Sequence, residues 1–253
     1  MTGFALETVS ICKQFGALKV TEMVALRLPA GGRHALIGPN GVGKSTLINL
    51  LTGTLKPSRG TIHLNGERID HLTTEQRIAL GLGRTFQVNA LFPHLTPLES
   101  IMLALARRGR LLDRPLLPLR RCSALADEAF ELATAVGLRH ACLTRTAELP
   151  YGRQRLLEIA LALAGKPSVL LLDEPAAGVP AGESFEVVEA IEALPDAVSI
   201  LFIEHDMDLV FRFAETITVM VAGTILCEGA AEEIAAHPEV QRARKPSQWV
   251  NLS

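Results

Sequence analysis

The chain has 253 residues, of which 48% are hydrophobic, enough to build one large domain or a core with an inserted subdomain. A formal net charge of −2 gives no general attraction to nucleic acid or to an anionic membrane. The four cysteines are widely spaced and form no C-x-x-C pair, so we expect a reducing compartment, without a disulfide framework or a cysteine metal site. No apolar run approaches the roughly 18 residues that span a bilayer, and the N-terminus lacks a signal peptide's features, so we expect any membrane role to come through a partner.

The N-terminal part of the chain is predicted to form an antiparallel sheet around a glycine-rich loop. Alternating apolar and polar residues indicate strands, an Asn-Gly pair indicates a tight hairpin, and Thr73 with Gln76 indicates a capped helix. The predicted elements are a strand over 4–13, a turn at Phe15-Gly16, a strand over 22–28, a hairpin over 60–69, a helix over 73–80 and a return strand over 83–87.

The glycine-rich loop fits the pattern G-x-x-x-x-G-K-[ST], between a short apolar strand over 34–37 and a helix over 46–52. Its residues are Gly38, Pro39, Asn40, Gly41, Val42, Gly43, Lys44, Ser45 and Thr46. The glycines allow successive backbone N–H groups to surround a triphosphate, and the helix N-terminus adds a positive end. Lys44 can reach the β- and γ-phosphates, and the Ser45 hydroxyl can bind Mg²⁺. We conclude that this chain binds a nucleoside triphosphate.

The middle of the chain is predicted to be a helical block of roughly seventy residues inserted into the α/β framework. Thr96, Pro97 and Glu99 form a strong helix start, and Gly137 and Gly165 are predicted stops. The predicted helices cover 96–107, 122–136 and 152–164, with a loop over 108–119. The arginine-rich segment over 107–121 is expected to be a solvated loop, or else a contact with a membrane partner or anionic lipid headgroups.

Strands and helices alternate again after residue 167, which predicts a mostly parallel sheet with ligands at the carboxyl ends of its strands. We predict strands over 169–172 and 198–203, helices over 183–194 and 206–214, and a hairpin joining 216–221 to 224–227. A polar tail over 238–253 follows.

Two adjacent carboxylates, Asp173 and Glu174, end a wholly apolar predicted strand. One carboxylate at that position can hold Mg²⁺, and the next can orient or deprotonate an attacking water. His205 follows the second apolar strand, where it can contact the γ-phosphate or position the water. An ordinary surface turn would not require a wholly apolar strand before it. We therefore favour functional roles for Asp173, Glu174 and His205 over purely structural ones.

One further element gives these residues a context: Leu149-Pro150-Tyr151-Gly152-Arg153-Gln154, a glycine-bearing turn that leads into a long amphipathic helix. With it, the chain resembles an ATP-binding-cassette (ABC) transporter ATPase from about residue 4 to about residue 236. The resemblance rests on motifs in the family's order and spacing, namely Phe15, the 38–46 loop, Gln87, the 149–154 signature, Asp173 with Glu174, and His205.

The resemblance implies a role for each of these positions. Phe15 stacks on adenine, while Lys44, Ser45 and Thr46 hold phosphate and Mg²⁺. Gln87 contacts the metal or the water and links the site to the membrane partner. Asp173 orders Mg²⁺, Glu174 acts on the water and His205 acts as the switch. Such ATPases work as head-to-tail pairs, in which the signature residues Pro150, Tyr151, Gly152 and Arg153 of one subunit close on the γ-phosphate held by the other.

Two departures from the family pattern stand out. The usual Leu-Ser-Gly-Gly-Gln signature lacks its serine here, and one lost neutral hydrogen bond of about 0.5–1.5 kcal/mol is expected to weaken closure without abolishing it. Pro180 stands where the family usually has Asp or Asn, a change that affects communication between the two ATP sites.

The implied fold is a P-loop NTPase of the ABC type, an α/β core with a mostly parallel sheet, an N-terminal antiparallel β subdomain and an inserted helical subdomain. We predict one ATPase domain over 4–240, with core and antiparallel subdomain over 4–87 and 166–228, the helical subdomain over 90–165, and the tail over 238–253.

Several motifs, among them Arg84-Thr85-Phe86-Gln87, Tyr151-Gly152 and Ile203-Glu204-His205-Asp206-Met207, look like those of branched-chain amino-acid importer ATPases, and urea and amide importers are built on the same pattern. The resemblance implies ATP hydrolysis that powers uptake of branched-chain amino acids or a related small polar solute. That resemblance implies ATP and Mg²⁺ as cofactors. It also implies transmembrane permease subunits, a second ATPase subunit, an indirect link to a periplasmic binding protein and no nucleic acid partner. The expected location is the cytoplasmic face of the bacterial inner membrane. Two alternatives stay open: an ATPase that drives lipopolysaccharide export, and a cytosolic ABC ATPase without a transport role.

Overall fold

A computed structural model describes residues 3–85, 91–109, 123–238 and 240. The chain divides into two compact units. The first comprises Met1–Arg84, Ser168–Glu174 and Asp196–Ser253, and the second comprises Thr85–Pro167 and Pro175–Pro195. All strands that the structure describes belong to the first unit, and the described elements of the second unit are helical. Within the described ranges, no helix has the length and hydrophobicity needed to cross a membrane.

The first unit contains two sheets. An antiparallel sheet has the order β2-β1-β5-β6, with β3 also pairing with β1. Its strands are β1 (Phe4–Phe15), β2 (Leu18–Val24), β3 (Arg27–Pro29), β5 (Arg59–Leu64) and β6 (Glu67–Arg68). A six-stranded sheet has the order β11-β10-β4-β9-β8-β7. Its strands are β4 (Arg33–Ile37), β7 (Leu82–Arg84), β8 (Val169–Asp173), β9 (Ser199–Ile203), β10 (Thr216–Val221) and β11 (Thr224–Ala230).

The second sheet is parallel except where β11 pairs with β10, so the predicted α/β fold with a mostly parallel sheet is confirmed. The helices described in the same unit are α1 (Lys44–Thr52), α2 (Thr74–Ala79), α7 (Met207–Phe213) and α8 (Ala231–Ala236). The apolar side chains of α1 are buried in one core cluster together with residues of both sheets, among them Leu6 and Ile62 of the antiparallel sheet and Leu36 and Leu171 of the parallel one. This burial fixes α1 at the carboxyl end of β4.

The second unit contains α3 (Pro97–Arg108), α4 (Ser123–Ala135), α5 (Tyr151–Ala164) and α6 (Ala181–Glu192), with short 3₁₀ helices at Arg139–Ala141 and Thr146–Glu148. Capping boxes begin α2 at Thr73 with Gln76 and α3 at Thr96 with Glu99, as predicted. The hairpin turn at Asn65 and Gly66 is also confirmed, since both residues have positive φ angles, of 51° and 83°.

The single strand predicted over 22–28 is wrong. The extended backbone is interrupted at Ala25 and Leu26, and β2 and β3, on either side of this break, pair with opposite ends of β1. At the break, the Thr8 hydroxyl accepts a hydrogen bond from the Leu26 N–H at 2.8 Å and donates to the Val24 carbonyl at 3.1 Å. A side chain therefore replaces part of the strand ladder, which an alternation pattern does not reveal.

Other boundaries differ by smaller amounts. The helix predicted to end at 107 continues one residue further, and β11 runs to Ala230 instead of ending at 227. The return strand begins at Leu82 and ends at Arg84. Most of the predicted 108–119 loop, the end of the return strand at 86–87, the first residue of the 122–136 helix and almost all of the tail lie outside the described residues.

Candidate functional site

The glycine-rich loop connects β4 to α1, as the motif predicts. Gly43 has a φ angle of 104°, and a Cβ atom on it would lie 2.6 Å from the backbone oxygen of Val20, so the chain path requires glycine. In the part of the chain that the structure describes, no side chain caps the N-terminus of α1. The amides of its first turn therefore point out of the helix end, which is the arrangement that binds phosphate.

Lys44 is only 6% exposed, and its Nζ donates hydrogen bonds to the carbonyl oxygens of Gly38 at 2.6 Å and Pro39 at 2.8 Å. Burial lowers the pKa of Lys44, while the nearby carboxylates of Glu174 and Asp173 partly oppose this shift. The ammonium group is thus held over the loop by weakly basic carbonyls, which phosphate oxygens can outcompete as partners.

Asp173 is the last residue of β8 and is 3% exposed. Its Oδ2 accepts a hydrogen bond from Nη2 of Arg84 at 3.2 Å, and Nη1 of the same guanidinium donates to Oδ1 of Asn49 in α1 at 3.0 Å. Arg84 therefore ties the carboxylate to the phosphate-loop helix. A buried carboxylate held in this way is a fixed negative charge at the strand end.

Glu174 follows with a φ angle of 49°, an uncommon conformation for a residue with a side chain. Its N–H donates to the Ile203 carbonyl of β9 at 3.0 Å, and its Oε1 lies 3.4 Å from Nδ1 of His205. The side chain of His205 is 56% exposed, whereas Glu204 before it is 2% exposed and accepts the His205 N–H at 3.2 Å. The left-handed turn at 174 thus aims the carboxylate sideways towards the histidine.

A cavity of about 190 Å³ lies between the glycine-rich loop and the end of β9. Its lining residues are Ile37, Gly38, Pro39, Asn40, Glu204, His205 and Met207. The carboxyl ends of β4, β8 and β9 are neighbours in the sheet, which explains why the loop, the Asp173 and Glu174 carboxylates and the histidine lie along the same edge of the sheet.

The residues fit the binding of a magnesium ion that is shared with a nucleotide. Mg²⁺ takes few protein ligands when it also binds phosphate oxygens, and Asp173 and Ser45 are oxygen donors on adjacent elements of the site. Among the described residues, no group of three or more His, Cys, Asp and Glu side chains could hold a metal by itself.

Phe15 is the last residue of β1, and its ring is 47% exposed. Nζ of Lys13 lies 4.9 Å from the ring centroid, which leaves the ring available for stacking next to a positive charge. Gln87 lies outside the described residues, so its predicted role stays a prediction.

The predicted signature residues lie in the second unit. Pro150 precedes α5, and Tyr151, Gly152 and Arg153 form its first turn, so the glycine lies inside the helix. The Tyr151 ring lies against Gly178, and the Arg155 guanidinium lies 5.2 Å from the ring centroid. The Gly152 N–H donates a hydrogen bond to Oε2 of Glu183 in α6 at 2.8 Å.

Sequence reasoning missed three residues of these sites: Arg84, Glu204 and Glu183. Arg84 lies next to a predicted strand end, but nothing local reveals that its partner is Asp173. Glu204 ends an apolar strand, as Asp173 does, and the same pattern would have identified it. Glu183 is one of several acidic residues on α6, and only the fold shows which of them reaches Gly152.

Comparisons with known proteins agree with this geometry. Residues 21–177 match the family model described as ABC transporter. The chain is 38% identical over 238 residues to the high-affinity branched-chain amino acid transport ATP-binding protein LivG of Salmonella typhimurium, covering 91% of this chain and 93% of that one. It is 37% identical over 247 residues to the corresponding protein BraF of Pseudomonas aeruginosa, covering 94% and 96%.

Solved structures show the same similarity. A crystal structure of a nucleotide-free ATP-binding cassette from an ABC transporter superimposes with a TM-score of 0.82 at 28% identity, covering 95% of this chain and 98% of that one. Another ATP-binding cassette of an ABC transporter, determined in its ADP conformation, superimposes with a TM-score of 0.82 at 29% identity and the same coverage.

Proposed function

This chain belongs to the ABC transporter family, and we propose that it is the ATP-hydrolysing subunit of an importer for branched-chain amino acids. The observation that carries the proposal is the identity of 37–38% to transport ATP-binding proteins of that name, over more than nine-tenths of each chain. As a member of the family, the chain is an ATPase. The solute and the residue roles below are part of the proposal, as is the single-domain organisation over 4–240.

We propose that ATP binds along the glycine-rich loop with its triphosphate at the N-terminus of α1. The residues from Gly38 to Gly43 other than Pro39 would supply backbone N–H groups, and Lys44 would exchange its two loop carbonyls for phosphate oxygens. Phe15 would stack on the adenine ring, which suits its exposed position.

Magnesium would be held by the Ser45 hydroxyl and Asp173, with Gln87 as a further contact. When bound, the ion would neutralise charge on the phosphate oxygens. Arg84 would keep the Asp173 carboxylate in one orientation through its bond at 3.2 Å.

Glu174 would accept a proton from the attacking water, and its conformation places the carboxylate beside His205. His205 would contact the γ-phosphate and report its presence, since it lines the cavity next to Pro39 and Asn40. The fixed carboxylate of Asp173 and the buried Lys44 require no reorganisation when charge develops on the phosphate.

We propose that the functional assembly contains a second ATPase subunit, whose signature turn at the residues equivalent to Tyr151–Arg153 closes on the γ-phosphate. The assembly would act beneath transmembrane permease subunits on the cytoplasmic face of the inner membrane, and a periplasmic binding protein would deliver the solute. A helix N-terminus carries backbone amides and a positive dipole end, which suit it for such closure on a phosphate.

The deciding experiment is reconstitution of the chain with its membrane partners in vesicles, followed by measurement of ATP hydrolysis against a panel of solutes. Leucine, isoleucine or valine, presented with the cognate binding protein, should raise turnover several-fold above the basal rate. Stimulation by lipopolysaccharide, or full activity of the chain without any membrane partner, would contradict the proposal.

A further inference from the structure

The amide that is expected to meet the γ-phosphate already has an anionic partner within the same unit. The Gly152 N–H donates to Oε2 of Glu183 at 2.8 Å, within the normal range for a charge-assisted hydrogen bond. A carboxylate oxygen and a phosphate oxygen are chemically similar acceptors. The described contact therefore has the chemistry of the proposed intersubunit contact, with a carboxylate in place of the phosphate.

The packing around this bond is close and needs glycine. A Cβ atom at position 152 would lie 2.8 Å from Oε2 of Glu183, 2.9 Å from its Cβ and 3.4 Å from Cγ1 of Val179. Gly152 has no positive φ angle that would call for glycine, so the nearby side chain of α6 is the reason for its small size. The contact is therefore built into the packing of α5 against α6.

The electrostatics of the two helix ends favour a negative charge at this point. Pro150 precedes α5 without any side-chain cap in the described residues, so the Glu183 carboxylate takes the place of a capping group. Glu183 also lies in the first turn of α6, and its own N–H bonds the Pro180 carbonyl at 2.8 Å. Its carboxylate thus lies near the positive ends of both helices.

We propose that Glu183 is an internal competitor for the Gly152 amide, which the γ-phosphate of the opposing subunit must displace before the ATP site closes. This inference rests on the proposed function, since it assumes that the Gly152 turn faces ATP. Glu183 acts through the availability of Gly152 and is therefore a residue that sets the affinity of the signature turn for an anion.

The test uses the full chain and inorganic phosphate as the probe. The amide resonances of Gly152 and Gly43 are followed by NMR during a phosphate titration of the parent chain and of Glu183→Gln, Glu183→Ala and Glu189→Gln. Glu189 is an exposed acidic residue of the same helix, so its substitution removes the same charge without touching Gly152.

We expect the phosphate concentration for a half-maximal shift at Gly152 to fall about two- to fivefold in Glu183→Gln, the ratio expected for one charge at a helix terminus. The fall should be at least as large in Glu183→Ala and absent in Glu189→Gln. An equal response at Gly152 in the parent and in Glu183→Gln would overturn the proposal. A weaker response in Glu183→Ala would also overturn it, by showing that the side chain helps to build the site.

Gly43 provides an internal reference, because it belongs to the proposed ATP loop and lies in the other unit. Its response should be the same in all four proteins. If Gly43 responds to neither phosphate nor ATP in any of them, the proposed function fails. If Gly43 responds as expected and Gly152 is insensitive to the substitutions, only the role of Glu183 fails.

Discussion

At the scale of single residues, Lys44 is a buried charged side chain within the glycine-rich loop. Its Nζ bonds two loop carbonyls and lies near two carboxylates, although the side chain is almost completely buried. A buried ammonium group is costly unless it is paired, and phosphate oxygens are stronger partners than carbonyls. ATP binding is therefore expected to give the Lys44 ammonium group stronger partners than it has in the unliganded chain.

The first prediction is that Lys44→Ala weakens ATP binding by about 10- to 150-fold, the range for losing a charged hydrogen bond of about 1.5–3 kcal/mol. Isothermal titration calorimetry with ATP on the purified chain measures this directly. Lys56→Ala is the matched control, since Lys56 is exposed and belongs to the same unit. Normal ATP affinity in Lys44→Ala would show that Lys44 does not contact the bound nucleotide.

The second prediction concerns pH. Burial lowers the pKa of Lys44, so the folded chain releases this proton at a lower pH than an exposed lysine does. Phosphate favours the charged form, so ATP binding takes up a proton in the alkaline range and the affinity for ATP falls as the pH rises there. The stability of the unliganded chain depends on pH in the opposite direction. The unfolded state keeps the Lys44 proton to a higher pH than the folded state does, so the contribution of Lys44 to the free energy of unfolding rises with pH.

Calorimetry in two buffers of different ionisation enthalpy, between about pH 8 and pH 10, counts the protons taken up on binding. The uptake should increase with pH in the parent chain and vanish in Lys44→Ala. Binding of ATP that is independent of pH across this range would show that Lys44 stays fully charged in the folded chain.

At the scale of elements, the stability of α1 depends on both of its ends. Its N-terminus faces the phosphate loop, and its C-terminus is covered by Arg77 of α2, which is fully buried. Nη1 of Arg77 donates to the carbonyls of Leu50 and Leu51, both at 2.6 Å, and its Nε donates to the Leu72 carbonyl at 3.2 Å. A positive group at a helix C-terminus is electrostatically favourable and supplies hydrogen-bond donors to carbonyls of the last turn.

The third prediction is that Arg77→Met lowers the free energy of unfolding by about 2–4 kcal/mol, because buried carbonyl groups lose charged partners. Urea unfolding followed by circular dichroism measures the loss. Arg77→Lys keeps one positive donor and should lose less. If Arg77→Met and Arg77→Lys are equally stable, the contribution of Arg77 comes from packing alone.

Local signals in the sequence predicted elements well where a side chain acts on its own neighbourhood. The capping boxes at Thr73 and Thr96 and the Asn65-Gly66 turn are interactions within three residues, so the sequence contains both partners. The break between β2 and β3 is different, because it involves the Thr8 side chain, which is distant in sequence. The alternation of apolar and polar residues in the sequence predicts one continuous strand across this break.

The same distinction applies to the candidate site. Sequence patterns identify Lys44, Asp173 and His205, because Lys44 lies in the glycine-rich motif and the other two lie at the ends of apolar strands. The sheet then brings those positions together. The partner of Asp173, which is Arg84, and the partner of Gly152, which is Glu183, lie 89 and 31 residues away in sequence. Long-range polar contacts of this kind follow from the fold and from no local pattern.

At the scale of the whole molecule, the two groups of backbone amides proposed to bind phosphate belong to different units. The glycine-rich loop belongs to the unit with both sheets, and the first turn of α5 belongs to the helical unit. Under the proposed function, ATP hydrolysis requires one of each, contributed by two subunits. Removal of the proposed base should therefore separate binding from hydrolysis.

The last prediction is that Glu174→Gln keeps ATP binding, lowers turnover by about 10²- to 10⁴-fold and stabilises a closed pair of ATPase subunits. The amide removes the proton acceptor but keeps the Lys44 side chain and the loop in place, so ATP stays bound between subunits and acts as a ligand of the paired state. Turnover is measured by phosphate release, and pairing by light scattering after size exclusion, with and without ATP, on the chain alone and mixed with its partner ATPase. Lys44→Ala combined with Glu174→Gln is the control, because a pair held together by ATP must need a correspondingly higher ATP concentration when ATP binds more weakly. Unchanged turnover in Glu174→Gln would exclude this carboxylate as the base, and a pair that forms equally without ATP would show that the nucleotide does not hold the subunits together.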